Sequence, residues 1–286
     1  MLYALATAIA IAHWMLRRLD IYGWQWRTAN VSPDGHAYLA MARGERGEGN
    51  YRRRWLLPWL LGPSPRRWYV FSAICQVATA PALLWYLDGF PPTTRLVGVC
   101  LYVGLSGVFR TNVLYPVLVD PAGILCMILE AAAIQHHIWW LAVPLLVVSG
   151  TIRETVPVFA ALAAGSFWPL LGLVPVAMHA IAKRGGPRRP YDFNIVGLAH
   201  QNHWFDPVVM FLPWGVCLAA AFAPGWWLLA AVSLAYAQLL IATDSPRLYQ
   251  WCFPVVISAA LTVLPQAWYV PLVLVHWFQP WQSDAI

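Results

Sequence analysis

An all-α, polytopic bundle of transmembrane helices is the architecture to expect of this 286-residue chain. Hydrophobic residues make up 60% of it and charged residues only 10%, against about 25% charged in average soluble chains. Mean hydropathy is +0.58. So much apolar surface exceeds what a soluble domain of this size hides. Inside a bilayer the backbone must satisfy its own hydrogen bonds, which leaves helices or a closed barrel. Long apolar runs without strand-like alternation decide for helices. The 18 Trp fit the same picture, because indole suits the lipid–water boundary, and Trp139-Trp140 and Trp226-Trp227 open apolar runs.

Residues 2–16 form the first apolar run, closed by Arg17-Arg18. Without a basic leader or a small-residue cleavage site, it reads as a retained helix. Further runs cover 68–87, 96–109, 113–134, 138–152, 155–182, 207–222, 226–242, 251–264 and 267–281. They give about 10–11 membrane segments, several shorter than the ~20 residues a straight span needs. The run 155–182 is either one long tilted helix or two short ones breaking near Ser166-Phe167-Trp168-Pro169. A single transmembrane domain is expected over 1–286, with polar regions at 17–67, 183–206 and 244–247. Five cysteines, an odd number at no metal-like spacing, are expected to be free thiols.

Within the first polar loop, Ser32 suits an N-cap and Pro33 the first helical position, so a short interfacial helix is predicted over about 33–42. Its apolar side would use Tyr38, Leu39, Met41 and Ala42. Asp34, Tyr38 and His36 would then ride near the headgroup level. Asp34 either complements the helix dipole or serves a reaction. The run Arg52-Arg53-Arg54 either anchors the loop to anionic lipid or grips a phosphate bidentately, as arginine does better than lysine.

Charges set in apolar surroundings are functional candidates by default. They are Arg110, Asp120, Glu130, Arg153, Glu154, Asp244 and Arg247. Asp120 needs a partner, either Arg110 or Arg153. Arg153-Glu154 is a turn pair or a substrate-facing pair. Glu130 is expected to face the bundle interior, ionised or as the protonated acid, without a catalytic role. His200, His203 and Asp206, spaced i, i+3, i+6, are the one metal-like arrangement, in a stretch whose helicity the sequence does not secure.

The pattern Asp34-Gly35-x-x-Tyr38-Leu39-x-x-Ala42, then Tyr51-Arg52-x-Arg54-x-Leu56-x-Pro58, resembles the first extramembrane loop of the GT-C superfamily. It is most similar to small bacterial membrane proteins of cell-surface glycopolymer formation. Arg153-Glu154-Thr155, and Asp244-Ser245-Pro246-Arg247 with Pro254, resemble later elements of such proteins. The specific part covers about 25 residues, and the chain is short for the superfamily. The resemblance implies a glycosyltransferase in a bacterial-type plasma membrane, using a polyprenyl-phosphate-linked sugar in glycan or glycoconjugate assembly. Asp34 would be the catalytic base, deprotonating an acceptor hydroxyl that attacks the anomeric carbon with inversion. Arg52, Arg54, Arg153 and Arg247 would stabilise the leaving lipid phosphate, with His36, Tyr38, Arg110, Asp120, Glu154 and Asp244 lining the substrate. Some members of the superfamily use a divalent metal and many none; no secure ligand set is seen here. The expected partners are the polyprenyl-phosphate donor, membrane lipid and a glycan, lipid or protein acceptor, and no nucleic acid.

If 155–182 is two helices, every basic residue but Arg95 falls on one face. The positive-inside rule makes that face cytoplasmic, whereas the resemblance makes it extracytoplasmic. Two other functions use the same residues: a carrier or flippase for a polyprenyl-linked sugar or another anionic lipid, and a non-catalytic subunit of a glycan assembly system.

Overall fold

The structure is a computed structural model that describes residues 31–45, 47, 51, 53–182, 200, 206–240 and 245–278. The first apolar run, most of the second polar loop, Arg52, His203 and Asp244 lie outside the described residues.

All regular structure among the described residues is helical. The main helices are α1 (Pro33–Ala42), α2 (Leu56–Leu61), α3 (Pro65–Tyr86), α4 (Pro92–Gly104), α5 (Asp120–Gln135), α6 (Trp139–Ile152), α7 (Val156–Ala164), α8 (Leu173–Ala182), α9 (Trp226–Ala237), α10 (Phe253–Val263) and α11 (Tyr269–Phe278). Shorter α, 3₁₀ and π turns fill the joints. By length and composition, α3 is apolar enough to cross a bilayer alone. Two bent pairs pass only when joined, 92–104 with 106–113 and 247–263 with 266–277, so the described residues hold one to three candidate spans. On α3, Val70, Ile74 and Val77 are 51%, 60% and 57% exposed. Their i, i+4, i+7 spacing makes one apolar stripe along an outer face, a pattern suited to lipid.

Prolines set the breaks. The apolar run 113–134 is not one helix: Pro116 and Pro121 interrupt it, and α5 starts at Asp120 with Pro121 in its first turn. Pro157 has no N–H to give to the Arg153 carbonyl, which would be its helical acceptor. Arg153 is accordingly extended (φ −156°, ψ 129°) and ends α6, and α7 begins afresh at Val156. The run 155–182 is divided, not one long helix. Gly165 takes the left-handed conformation (φ 61°) at the end of α7, the Ser166 N–H returns to the Ala161 carbonyl, and a 3₁₀ turn at Trp168–Gly172 leads into α8.

The described residues group into two compact units, Met1–Ala82 with Asn112–Arg189 and Leu83–Thr111 with Pro190–Ile286. In the first unit, α1 and α2 pack on a core of Tyr38, Leu39, Leu57, Leu61, Trp68 and Val117–Val119, and α5 packs on α6 and α7. The turn Trp168–Gly172 lies close against α6. A Cβ on Gly150 would collide with the Gly172 carbonyl, and one on Gly172 would come 2.7 Å from Ser149 Oγ. Gly150→Ala is therefore expected to cost about 1–3 kcal/mol through overpacking, read as a lowered melting temperature in detergent. Gly89→Ala is the control, since nothing lies near that Cβ.

In the second unit, α10 packs on α4 and on the turn Leu212–Phe222, and α11 packs on α4. Buried His276 bridges the Leu101 carbonyl (2.8 Å) and the Val216 N–H (3.3 Å). At Leu105 the chain is extended and a π turn, Ser106–Arg110, follows. The turn's Gly107 N–H finds its acceptor in Gln250 Oε1 at 2.7 Å, and Gln250 Nε2 donates to the Pro213 carbonyl at 2.9 Å. All five cysteines are free thiols.

Candidate functional site

The first unit gathers six of the candidate residues into one network. It starts at α1, whose bounds are those expected from sequence. Ser32 Oγ accepts from the Gly35 N–H at 3.1 Å, closing the cap. Gly35 is required there, because a Cβ would meet the Val117 carbonyl at 2.8 Å. That close approach presses α1 onto the segment just before α5. Asp34, in the first turn, favours the positive end of the helix dipole and is half-buried.

The Tyr51 hydroxyl donates to Asp34 Oδ1 at 2.6 Å. Burial raises the Tyr51 phenol, and its bond to Asp34 together with that carboxylate's charge raises it further, so the hydroxyl stays a donor. The Tyr51 ring stands edge-on to Tyr38, with centroids 5.5 Å apart, and the Arg54 guanidinium lies 6.0 Å from its centroid. Tyr38 is fully buried, stacked on Trp68 at 5.9 Å, and accepts from Arg54 Nη1 at 2.9 Å. Trp68, Tyr51 and Arg54 enclose Tyr38, so Tyr38 and Leu39 of the apolar side of α1 face the protein core. Burial raises the Tyr38 phenol, with Arg54 opposing.

Arg54 grips Glu154 with both prongs, Nε to Oε2 at 2.9 Å and Nη2 to Oε1 at 2.7 Å. Burial alone would raise the Glu154 carboxyl. The two Arg54 bonds, the Arg54 charge and the nearby Arg153 charge overcome it and hold the group at about 2. Next along the chain, Arg153 Nη1 pairs with Asp120 Oδ1, and Arg153 Nε donates to Thr155 Oγ1 at 3.1 Å. Of the two partners the sequence offered for Asp120, Arg153 pairs with it, and the Arg110 side chain lies outside the described residues. Both ends of this pair suit the backbone: Asp120 sits at the positive end of α5 and Arg153 at the negative end of α6. Glu154 likewise precedes the N-terminus of α7.

Asp34, Tyr38, Arg54, Asp120, Arg153 and Glu154 therefore come from three separate stretches and share one electrostatic neighbourhood. It carries three carboxylates and two guanidiniums. Tyr51, Trp68 and Thr155 belong to it too. Tyr51 and Thr155 stood inside the quoted motifs without a role, and nothing in the sequence marked Trp68. His36 is exposed on α1. Arg110 ends the π turn of the second unit, and Arg247 is buried in that unit's Ser245–Tyr249 turn. Arg52 and Asp244 lie outside the described residues. Asp206 caps the helix Pro207–Phe211 through the Val208 N–H at 2.9 Å, His200 is exposed, and His203 lies outside the described residues. Among the described residues no group of three His, Cys, Asp or Glu is placed to hold a metal ion.

An open apolar groove of about 530 Å³ lies elsewhere in the first unit. It is lined by Trp139, Val143, Val147, Trp168, Leu171 and Val174 among others. It flanks the first half of α6, whereas Arg153 follows that helix's last residue. The groove is therefore not the pocket of the ionic network. No protein-family model, no curated protein and no solved structure matches this chain.

Proposed function

We propose that the chain is a polytopic membrane glycosyltransferase of the GT-C type. In this reading its short, proline-broken helices cross or re-enter the bilayer in pairs, and Asp34 is the catalytic base. The observation that carries the reading is the convergence of Asp34 with a rigid ionic scaffold built from Arg54, Glu154, Arg153 and Asp120. A base must be held in place to act on an acceptor hydroxyl. The Tyr51 hydroxyl, at 2.6 Å from Asp34, already occupies the kind of position an acceptor hydroxyl would take. The acceptor oxygen attacks the anomeric carbon, its proton passes to Asp34, and the sugar–phosphate bond breaks to leave a polyprenyl phosphate.

The roles of the arginines are revised by their partners. Arg54 and Arg153 each hold a carboxylate, so in this mechanism they fix the scaffold and soften its negative charge. Phosphate binding passes to other basic side chains of the loop, where Arg53 is exposed. The test uses the full chain in detergent micelles with polyprenyl-phosphate sugars, scoring release of polyprenyl phosphate. Asp34→Asn is expected to lower turnover by about 10²–10⁴-fold, the usual weight of a general base, while lipid binding persists. Full turnover in that variant removes Asp34 from the mechanism. Lipid movement across vesicles without any sugar release, in the wild type, points instead to a carrier.

A further inference from the structure

Glu130 lies in the middle of α5 and is fully buried, yet neither of its carboxylate oxygens makes a well-formed hydrogen bond among the described residues. α6 and α7 pack most closely on α5, and neither carries an Asp, Glu, His, Lys or Arg; α3, which meets α5 through Cys75 and Cys126, has its charges, Arg66 and Arg67, in its first turn. The Ser149 hydroxyl of α6 is the polar group beside Glu130, close enough to share a weak hydrogen bond with it, and its oxygen also lies 3.4 Å from the Leu146 carbonyl. On the same helix the titratable neighbour is the Cys126 thiol, with Cys75 of α3 beyond it. Asp120 stands ten residues away, about 15 Å along the helix, and is held by Arg153.

An ionised carboxylate in that position would be a bare charge in apolar packing, which costs several kcal/mol. The protonated acid costs far less, and its O–H can turn toward Ser149 Oγ. We propose that Glu130 is a proton-binding site: a neutral acid at neutral pH, whose loss of the proton drives an unpaired charge between α5, α6 and α7. The inference is independent of the transferase reading and uses a group for which that reaction has no role.

Infrared spectroscopy of the full chain in detergent tests it, with the glutamate side-chain carboxyls labelled with carbon-13. The chain has only four glutamates, Glu45, Glu48, Glu130 and Glu154. Glu154 is ionised by its arginine, and Glu45 is an exposed partner of Arg43. The expected result at pH 7 is one labelled C=O band of a protonated acid, lost completely in Glu130→Gln. The folded chain then holds a proton that the unfolded chain releases above the ordinary carboxyl value of about 4.5, so through this group the wild-type melting temperature falls as pH rises from about 5 until Glu130 itself loses its proton. Glu130→Gln, a neutral isostere, flattens that limb. A wild-type spectrum with no labelled acid band at pH 7 overturns the proposal whatever the variant does. So does a band that survives in Glu130→Gln.

Discussion

Arg153→Ala is expected to lower stability by about 3–5 kcal/mol, the cost of leaving one member of a buried ion pair without its partner. Both side chains are almost wholly enclosed, Arg153 at 4% and Asp120 at 1% exposure. The loss is largely the penalty of taking the Arg153 guanidinium from a carboxylate in a low-dielectric site, and not the net worth of the pair. The double variant Arg153→Met with Asp120→Leu separates the two. It removes both charges and restores apolar volume, and is expected to recover most of the loss, because a buried pair barely outweighs a well-packed hydrophobic replacement. A thermal or denaturant melt of the wild type, both single variants and the double variant reads the coupling directly. Additive single effects would mean that the two groups do not depend on each other. Arg153→Lys is expected to rescue only in part. Arg153 serves Asp120 through Nη1 and Thr155 through Nε at once, a forked geometry that one ammonium cannot copy.

How much of this was legible from the residues alone differs between local and long-range features. Helix α1 was readable to the residue, since Ser32, Pro33 and Asp34 are short-range signals that act whatever the tertiary fold. The need of Asp120 for a cation was readable too, because an acid in apolar surroundings must find one. Which cation it takes was not, since that depends on Pro157 ending α6 at Arg153 and so turning its side chain toward the start of α5. Proline also explains the miscount along 113–134: hydropathy sees one greasy run, while the backbone sees two residues that cannot donate a hydrogen bond. That Tyr38 faces the core was not readable, for a different reason. A tyrosine on a short amphipathic helix suits a headgroup boundary as well as it suits a core. Only Trp68, thirty residues on and unmarked by any motif, decides for the core. The arginine cluster was seen as a unit, but its members part company: Arg53 is exposed and Arg54 is buried.

Arg54 and Glu154 should set the acid limit of the fold. The carboxyl of Glu154, ordinarily near 4.5, is held at about 2 in the folded chain. A depressed carboxyl contributes stability that is fully present above its ordinary value and is lost as pH falls toward the folded value. The wild type is therefore expected to lose on the order of 2–3 kcal/mol between about pH 5 and pH 2 through this group, each pKa unit being worth about 1.4 kcal/mol. Glu154→Gln should be less stable than wild type at pH 7 and should lack that part of the acid slope, so the two melting curves converge as pH falls. Curves that stay parallel would show that Glu154 is not ionised by Arg54. Arg54→Ala should be the harsher change. It strands Glu154, removes the donor to Tyr38, and takes away the cation that lies over the Tyr51 ring, which in turn holds Asp34. Its stability loss is expected at about 3–5 kcal/mol, with any loss of turnover exceeding that of Glu154→Gln, because Glu154→Gln can leave the Arg54–Tyr38 bond standing. Arg54 thus acts on the proposed base only through two tyrosines. Tyr51→Phe, which removes the bond to Asp34 and leaves the Arg54 pair whole, should lower turnover without moving the acid limb.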